Sequence, residues 1–222
     1  MLMDIEGAIF DMDGTLINSL SVWENIWEEF GKTFLDGERF NIEDADDKAV
    51  RTMTLKNAME YLHCKYSIGK NGNDLLITAE EIIADFYSNK VELKKGVLDY
   101  LEYCYQNKVK MCIASATDIN LINIAIQHCN IKKYFIDIIS CAEIGKGKDE
   151  PDIYLKALDL LGTPIEKTWV FEDSLTAIET AHAAGLPTVA IYDRNNYGQD
   201  QMQKTADHYI AKGETLLKLL DD

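Results

Sequence analysis

"FDMDGTL", residues 10–16, decides the reading. The apolar run "IEGAIF" (5–10) that leads into it has the continuous hydrophobicity of a strand buried on both faces. Asp11 and Asp13 then stand two apart where that strand ends, and Gly14 permits a sharp turn after them. Two carboxylates this close disfavour each other's ionised form unless a cation or a proton intervenes. The pair therefore marks the strand end as a place where other groups must gather.

Further apolar runs show what gathers. "VKMCIAS" (109–115), "FIDIIS" (135–140), "KTWVFE" (167–172) and "PTVAIY" (187–192) read as buried strands, with "HYIA" (208–211) as a short edge strand. "DINLINIAIQHCN" (118–130) puts Ile119, Ile122, Ile126 and Cys129 on one helical face. "PDIYLKALDLLG" (151–162) opens with Pro151 in a first turn and ends at Gly162; "SLTAIETAHAAG" (174–185) opens with Ser174 as N-cap and ends at Gly185. This alternation predicts an α/β fold, a Rossmann-like doubly wound parallel sheet with helices on both sides.

From about residue 18 to 91 the strand signal stops. "SLSVWENIWEEFG" (19–31) carries a Ser21-x-x-Glu24 capping box and Trp23, Ile26, Trp27 and Phe30 at helical spacing. "DKAVRTMTLKNAMEYLHC" (47–64) and "TAEEIIADFYSNKV" (78–91), the latter opening on Thr78-x-x-Glu81, also read as helices, with "KYSIGKNGND" (65–74) as a connector. The expected domains are a core of 1–17 with 92–222 and an inserted α-helical cap of 18–91. Such an insert is expected to hang over the carboxyl end of the sheet, where open α/β sheets bind ligands.

If the strands are parallel, four features converge on one edge: Asp11 and Asp13, then Ser115 in "IASAT", Lys148 in "GKGKDEPDIY", and Glu172 with Asp173 in "VFEDS". A divalent hard cation makes such a gathering of carboxylates tolerable, and oxygen ligands without His or Cys favour Mg²⁺ over zinc. Mg²⁺, a lysine and backbone N–H groups suit a phosphoryl group. One ionised Asp can attack phosphorus, and a second, kept protonated by its neighbour, can protonate the leaving oxygen.

"DMDGTL", "ASAT", "GKDEPDIY" and "VFEDSLTAIETAHAAGLPTVAI" resemble, in order, the four motifs of the haloacid dehalogenase superfamily. The nearest resemblance is to its phosphatase and β-phosphoglucomutase-like branch, with a helical cap after the first strand. The resemblance covers roughly 1–17 and 92–222. It implies that Asp11 is a nucleophile forming an aspartyl-phosphate, and that Asp13 is general acid and then base, its carbonyl on Mg²⁺. It implies phosphate binding at Ser115 and Ala116, the latter through backbone N–H. Lys148 would steady the nucleophile and the phosphoryl group; it, and not Lys146, stands three before Pro151. Asp173 with Glu172 would complete the metal shell begun by Asp11 and Asp13. The function implied is Mg²⁺-dependent phosphomonoesterase activity on a small phosphorylated metabolite. Dehalogenases of the superfamily lack the second aspartate, so Asp13 argues against that chemistry. Trp23 stands where the β-phosphoglucomutases have a histidine, and Asn18 where they have an acid; both argue against the mutase, which is the alternative reading ahead of a catalytically silent binding protein. A phosphonoacetaldehyde hydrolase needs a Schiff-base lysine in the cap, for which Lys32, Lys48 and Lys56 are candidates by type alone.

The bulk numbers fit. With 22 basic and 38 acidic residues in 222, the net charge is −16, which disfavours nucleic acid and anionic membrane surfaces as partners. No apolar run is long enough to span a membrane, and the N-terminus lacks the basic region of a secretion signal. Five cysteines without a CxxC pair are expected as reduced thiols of a cytoplasmic protein, a monomer or weak homo-oligomer. The acidic run "EDADDK" (43–48) reads as a solvated face, the four histidines (63, 128, 182, 208) show no metal spacing, and Arg51 and Lys56 are candidates to reach substrate from the cap.

Overall fold

The computed structural model describes residues 4–50 and 53–220. In chain order its main elements are β1 (Gly7–Phe10), α1 (Val22–Phe34), α2 (Asp44–Val50), α3 (Leu55–Tyr66), α4 (Gly72–Asn89), α5 (Val97–Gln106), β2 (Lys110–Ser115), α6 (Ile119–His128), β3 (Asp137–Ser140), α7 (Cys141–Ile144), α8 (Asp152–Leu161), β4 (Thr168–Glu172), α9 (Leu175–Ala183), β5 (Thr188–Ile191), α10 (Gln199–Thr205) and β6 (His208–Ile210). The chain divides into two compact units, one of residues 1–19 with 91–222 and one of Leu20–Lys90.

In the first unit all six expected strands form one sheet, ordered β3-β2-β1-β4-β5-β6, with every neighbouring pair parallel. β1 lies between β2 and β4 and is buried throughout. The pleat sends its residues alternately to two packed faces. Ile9 joins a cluster with Tyr154 and Ala157 of α8 and Ala177 and Ala181 of α9. Phe10 points the other way, stacking on Phe171 at 4.4 Å between ring centroids and meeting Tyr100 of α5 edge-on at 6.5 Å. Helices thus cover both faces, and this is why the strands read as unbroken apolar runs.

Local expectations fared unevenly. Gly162 ends α8 in the left-handed region at φ 59°. The buried face of α6 is Leu121, Ile122, Ala125 and Ile126, with Ile119 and Cys129 only partly covered, so the apolar stripe is rotated from the expected one. Ser174 holds the N-cap position of α9, but its hydroxyl makes no capping bond. Helix α5 went unread because Gly96 starts it without a side-chain cap and aromatic residues fill it.

In the second unit α1 buries Val22, Ile26 and Phe30. The expected capping box is not formed, since Ser21 already has helical backbone angles and caps nothing. The stretch read as one helix from 47 to 64 is two, because Thr54 takes the N–H of Asn57 at 3.3 Å and starts α3 afresh. Helix α4 starts at Gly72, well before Thr78: Asn71 caps it by accepting the Asp74 N–H at 3.0 Å, and Thr78 bonds the Asp74 carbonyl instead. Arg51 lies outside the described residues, as does the side chain of Lys48. No helix among the described residues is long and apolar enough to cross a membrane.

The run "EDADDK" is not simply a solvated face. Asp46 is 3 % exposed and accepts from Lys65 Nζ at 2.6 Å, Tyr61 Oη at 2.6 Å and Tyr66 Oη, while Asp47 accepts from Trp27 Nε1 at 3.0 Å. Lys65 first, then the two tyrosines, hold the Asp46 carboxyl down to about 2 from 3.8. A carboxyl whose folded-state value is depressed contributes stability that is complete above its ordinary value and is lost as pH falls through the depressed one. Asp46→Asn is therefore expected to melt below the parent protein near neutral pH, with the gap closing between pH 3.8 and about 2. Parallel thermal melts across that range check it; a gap independent of pH refutes it.

Candidate active site

The sheet register builds the site. Phe10 pairs with Ile113 on one side and Phe171 on the other. One residue further, Asp11 donates its backbone N–H to the Phe171 carbonyl at 2.9 Å, so it leaves the sheet beside Glu172, the last residue of β4. Asp173 follows directly. The carboxylate oxygens of Asp11, Glu172 and Asp173, all buried, lie within 4.8 Å of one another, and this is the only such grouping of potential metal ligands among the described residues. The four histidines are not part of it.

Lys148 reaches this cluster from the loop between α7 and α8. Its Nζ lies 2.5 Å from Asp11 Oδ1 and also bonds Glu172 Oε1. Lys146, by contrast, pairs with Asp152 at 2.8 Å on the surface. The remaining Glu172 oxygen accepts the backbone N–H groups of Asp173 at 3.0 Å and Ser174 at 3.2 Å, and the buried Tyr154 hydroxyl approaches Oε1 at 3.4 Å. Asp173 is held from the loop after β5, where Asn196 Nδ2 donates to its carbonyl at 2.8 Å and to Oδ2 at 3.0 Å. That loop is tied in turn by the Lys94–Asp193 ion pair at 2.8 Å.

Asp13 stands apart from the three buried carboxylates, half-buried in the turn after β1. The Met12 carbonyl accepts the N–H groups of Leu16 at 2.9 Å and Ile17 at 3.1 Å, and Gly14 takes a φ of 77° that other residues adopt at a cost. The Asp13 carboxylate accepts the Thr117 hydroxyl at 2.8 Å. Ser115, the buried last residue of β2, accepts the Thr117 N–H at 3.2 Å, and Ala116 between them is exposed.

Burial dominates the electrostatics. It pushes the Asp11 carboxyl up to about 8; Lys148 pulls it back only in part, and Glu172 and Asp13 add to the rise. Asp173 is raised well above the carboxylate range by burial and then by Asp11 and Glu172, against the pull of Lys94 and Asn196. Burial works against the charge of Lys148, but Asp11 and Glu172 outweigh it and hold the ammonium firmly protonated. Ionised together, three buried carboxylates around one lysine would carry an excess of negative charge, which adds to burial in making Asp11 and Asp173 hold their protons so strongly. The oxygen-only donor set fits a hard divalent cation, which would remove that excess.

Four participants escaped the sequence reading: Thr117, Tyr154, Asn196 and Lys94. Thr117 and Tyr154 lie within quoted motifs but look like ordinary cap and core residues. Asn196 and Lys94 sit in polar loops, and nothing but the three-dimensional course of those loops sets them apart.

A model of the family described as haloacid dehalogenase-like hydrolase matches residues 8–191. The chain is similar to the phosphorylated carbohydrates phosphatase of Thermotoga maritima, 26% identical over 223 residues that cover 98% of this chain and 99% of that one. Among solved structures it resembles CbbY from Rhodobacter sphaeroides in complex with phosphate, with TM-score 0.81, 21% identity and coverage of 98% and 100%. A CbbY variant in complex with xylulose-1,5-bisphosphate gives TM-score 0.78 at 20% identity, covering 92% of this chain and 93% of that one.

Proposed function

The chain belongs to the haloacid dehalogenase-like hydrolases and is a phosphatase of that superfamily, and from that premise we propose that it hydrolyses a small phosphorylated carbohydrate with Mg²⁺ through an aspartyl-phosphate on Asp11. The observation that carries this reading is the buried Asp11 carboxylate, clamped at 2.5 Å by Lys148 inside a cluster with Glu172 and Asp173. The substrate class is supported by the phosphorylated carbohydrates phosphatase and by the xylulose-1,5-bisphosphate complex of the CbbY variant.

In this reading Asp11 attacks phosphorus. Lys148 holds it in line and offers positive charge to the transferring group. Asp13 protonates the leaving oxygen and then takes a proton from the water that cleaves the aspartyl-phosphate. Ser115 and the Ala116 N–H bind phosphate oxygens. The Asp11 and Asp173 carboxylates and the Asp13 carbonyl would hold Mg²⁺. When bound, the ion supplies charge to the phosphoryl oxygens. Glu172 would complete the metal shell beside Asp173, and its bonds with Lys148, Tyr154 and backbone N–H groups let it also position Lys148 and the Asp173 turn. Residues 1–17 with 92–222 serve as the catalytic core and 18–91 as the cap that sets specificity, a division supported by the two compact units. The five free cysteines suit the cytoplasm.

A Schiff-base role for Lys32 is disfavoured. Glu28 and Glu29 pair with it at the surface and push its pKa up, opposite to what an amine nucleophile requires. Lys56 is simply exposed.

The test is phosphate release from a panel of sugar, polyol and nucleotide monophosphates with Mg²⁺ and with chelator. Metal-dependent release from carbohydrate phosphates is expected; release from none of the panel overturns the proposal. A second measurement probes the metal site without turnover. Asn196→Ala frees Asp173 from both bonds and is expected to raise the Mg²⁺ concentration needed for half-maximal thermal stabilisation by roughly 10–100-fold, as for other partners that orient metal ligands. An unchanged Mg²⁺ titration refutes the role given to Asn196.

A further inference from the structure

The geometry points to Thr117 as the residue that positions Asp13 for proton transfer, an assignment that rests on the phosphatase reading above. The Thr117 hydroxyl donates to Asp13 Oδ2 at 2.8 Å across 104 residues of sequence. Thr117 is itself pinned from two strand ends. Its N–H is accepted by Ser115 Oγ at 3.2 Å, and its carbonyl accepts the hydroxyl of the fully buried Ser140 at 2.7 Å. Ser115 and Ser140 are register partners at the ends of β2 and β3. On the far side Asp118 caps α6 by accepting the Asn120 N–H at 2.8 Å, which fixes the next step of the chain. A threonine with its backbone so held has little χ1 freedom left.

The bonds from Leu16 and Ile17 to the Met12 carbonyl and the Gly14 turn fix the backbone around Asp13, and the Thr117 hydroxyl acts on its side chain. The residue type also matters. A general acid that later acts as base must pass through both protonation states in one turnover. A lysine or a backbone N–H can only donate, so neither can take a hydrogen bond from the acid proton. A hydroxyl can donate to the carboxylate and accept from the carboxylic acid, so it keeps the geometry in both halves of the cycle. Thr117 therefore steers the carboxyl in both halves of the cycle.

The experiment compares kcat/KM of Thr117→Val, Thr117→Ser and Asp13→Asn on two esters: the best sugar or polyol phosphate of the panel, and 2,4-dinitrophenyl phosphate. The first leaving group departs as an alkoxide unless it is protonated. The second departs as a stable phenolate. kcat/KM reports only the steps through departure of the leaving group, so the later water step does not blur the comparison. Asp13→Asn is expected to lose about 10²–10⁴-fold on the sugar ester and far less on the aryl ester. Thr117→Val is expected to follow the same pattern on a smaller scale, about tenfold on the sugar ester and under about twofold on the aryl ester. Thr117→Ser, which keeps the hydroxyl, is expected to retain parental values within about twofold. Equal losses on both esters, or a rise in KM alone, overturn the inference and make Thr117 a phosphate ligand or a structural residue. Parental values for Thr117→Val on both esters also overturn it. If Asp13→Asn itself shows no dependence on leaving group, the general-acid reading fails first, so the two failures are distinguishable.

Discussion

Asp11→Asn is expected to abolish phosphate release by about 10⁴-fold or more, the scale on which removal of a nucleophile is felt, while the protein stays folded. The amide is nearly isosteric but has no lone pair basic enough to attack phosphorus, and a loss of this size corresponds to about 5.5 kcal/mol of transition-state stabilisation. The same change is expected to stabilise the metal-free protein at alkaline pH. The Asp11 carboxyl is pushed up to about 8 from 3.8, chiefly by burial. A carboxyl whose folded-state value is raised makes folding less favourable as pH climbs from the ordinary value to the raised one, because the unfolded chain ionises freely and the folded one does not. Asparagine removes that cost. In chelator, Asp11→Asn should melt above the parent protein near pH 8 and converge with it toward pH 4. Lys148 keeps Glu172 as a partner in the variant, so the substitution does not strand the lysine. Added Mg²⁺ should narrow the alkaline gap by raising the parent more than the variant. Residual turnover near the parental rate would move the nucleophile elsewhere.

How much of this was readable in advance depended on the kind of signal. The sheet was legible because strands covered on both faces leave continuous apolar runs, and β1 through β6 all appear where such runs stand. Asp11, Glu172 and Asp173 were singled out because charge at the end of an apolar run is costly enough to stand out in sequence, and Lys148 through its spacing before Pro151, which the family resemblance marks; the structure brings these four together. Their roles do not follow from that placement alone. The helices of residues 20–90 were less legible, because caps rather than periodicity set their ends. Thr54 and Asn71 each start a helix in a stretch whose apolar period gave a different boundary. The polar partners were illegible for a simpler reason. Asp46, Thr117 and Asn196 are ordinary residues in ordinary places until a group distant in sequence arrives at hydrogen-bond distance.

Lys148→Met is expected to show two large effects with separable causes. Activity should fall about 10²–10³-fold, the loss typical of removing one preorganised charge from a transition state. Stability of the metal-free protein should fall by about 3–5 kcal/mol, because Asp11 and Glu172 lose the ammonium that both contact. For a chain of this size that is a drop in melting temperature on the order of 10 °C. Glu172→Gln added to Lys148→Met removes one of the stranded charges, so the double variant should recover much of the stability and none of the activity. That split separates the structural role of the ion pair from its chemical one. Lys146 supplies the internal contrast, since it sits two residues away with the same charge but pairs with Asp152 at a solvent-exposed position. Lys146→Met should leave turnover at the parental rate and change stability by less than about 1 kcal/mol, as exposed pairs do. Were Lys146→Met to cost activity and Lys148→Met to spare it, the clamp on Asp11 would have no part in the reaction, and the reading built on it would fall.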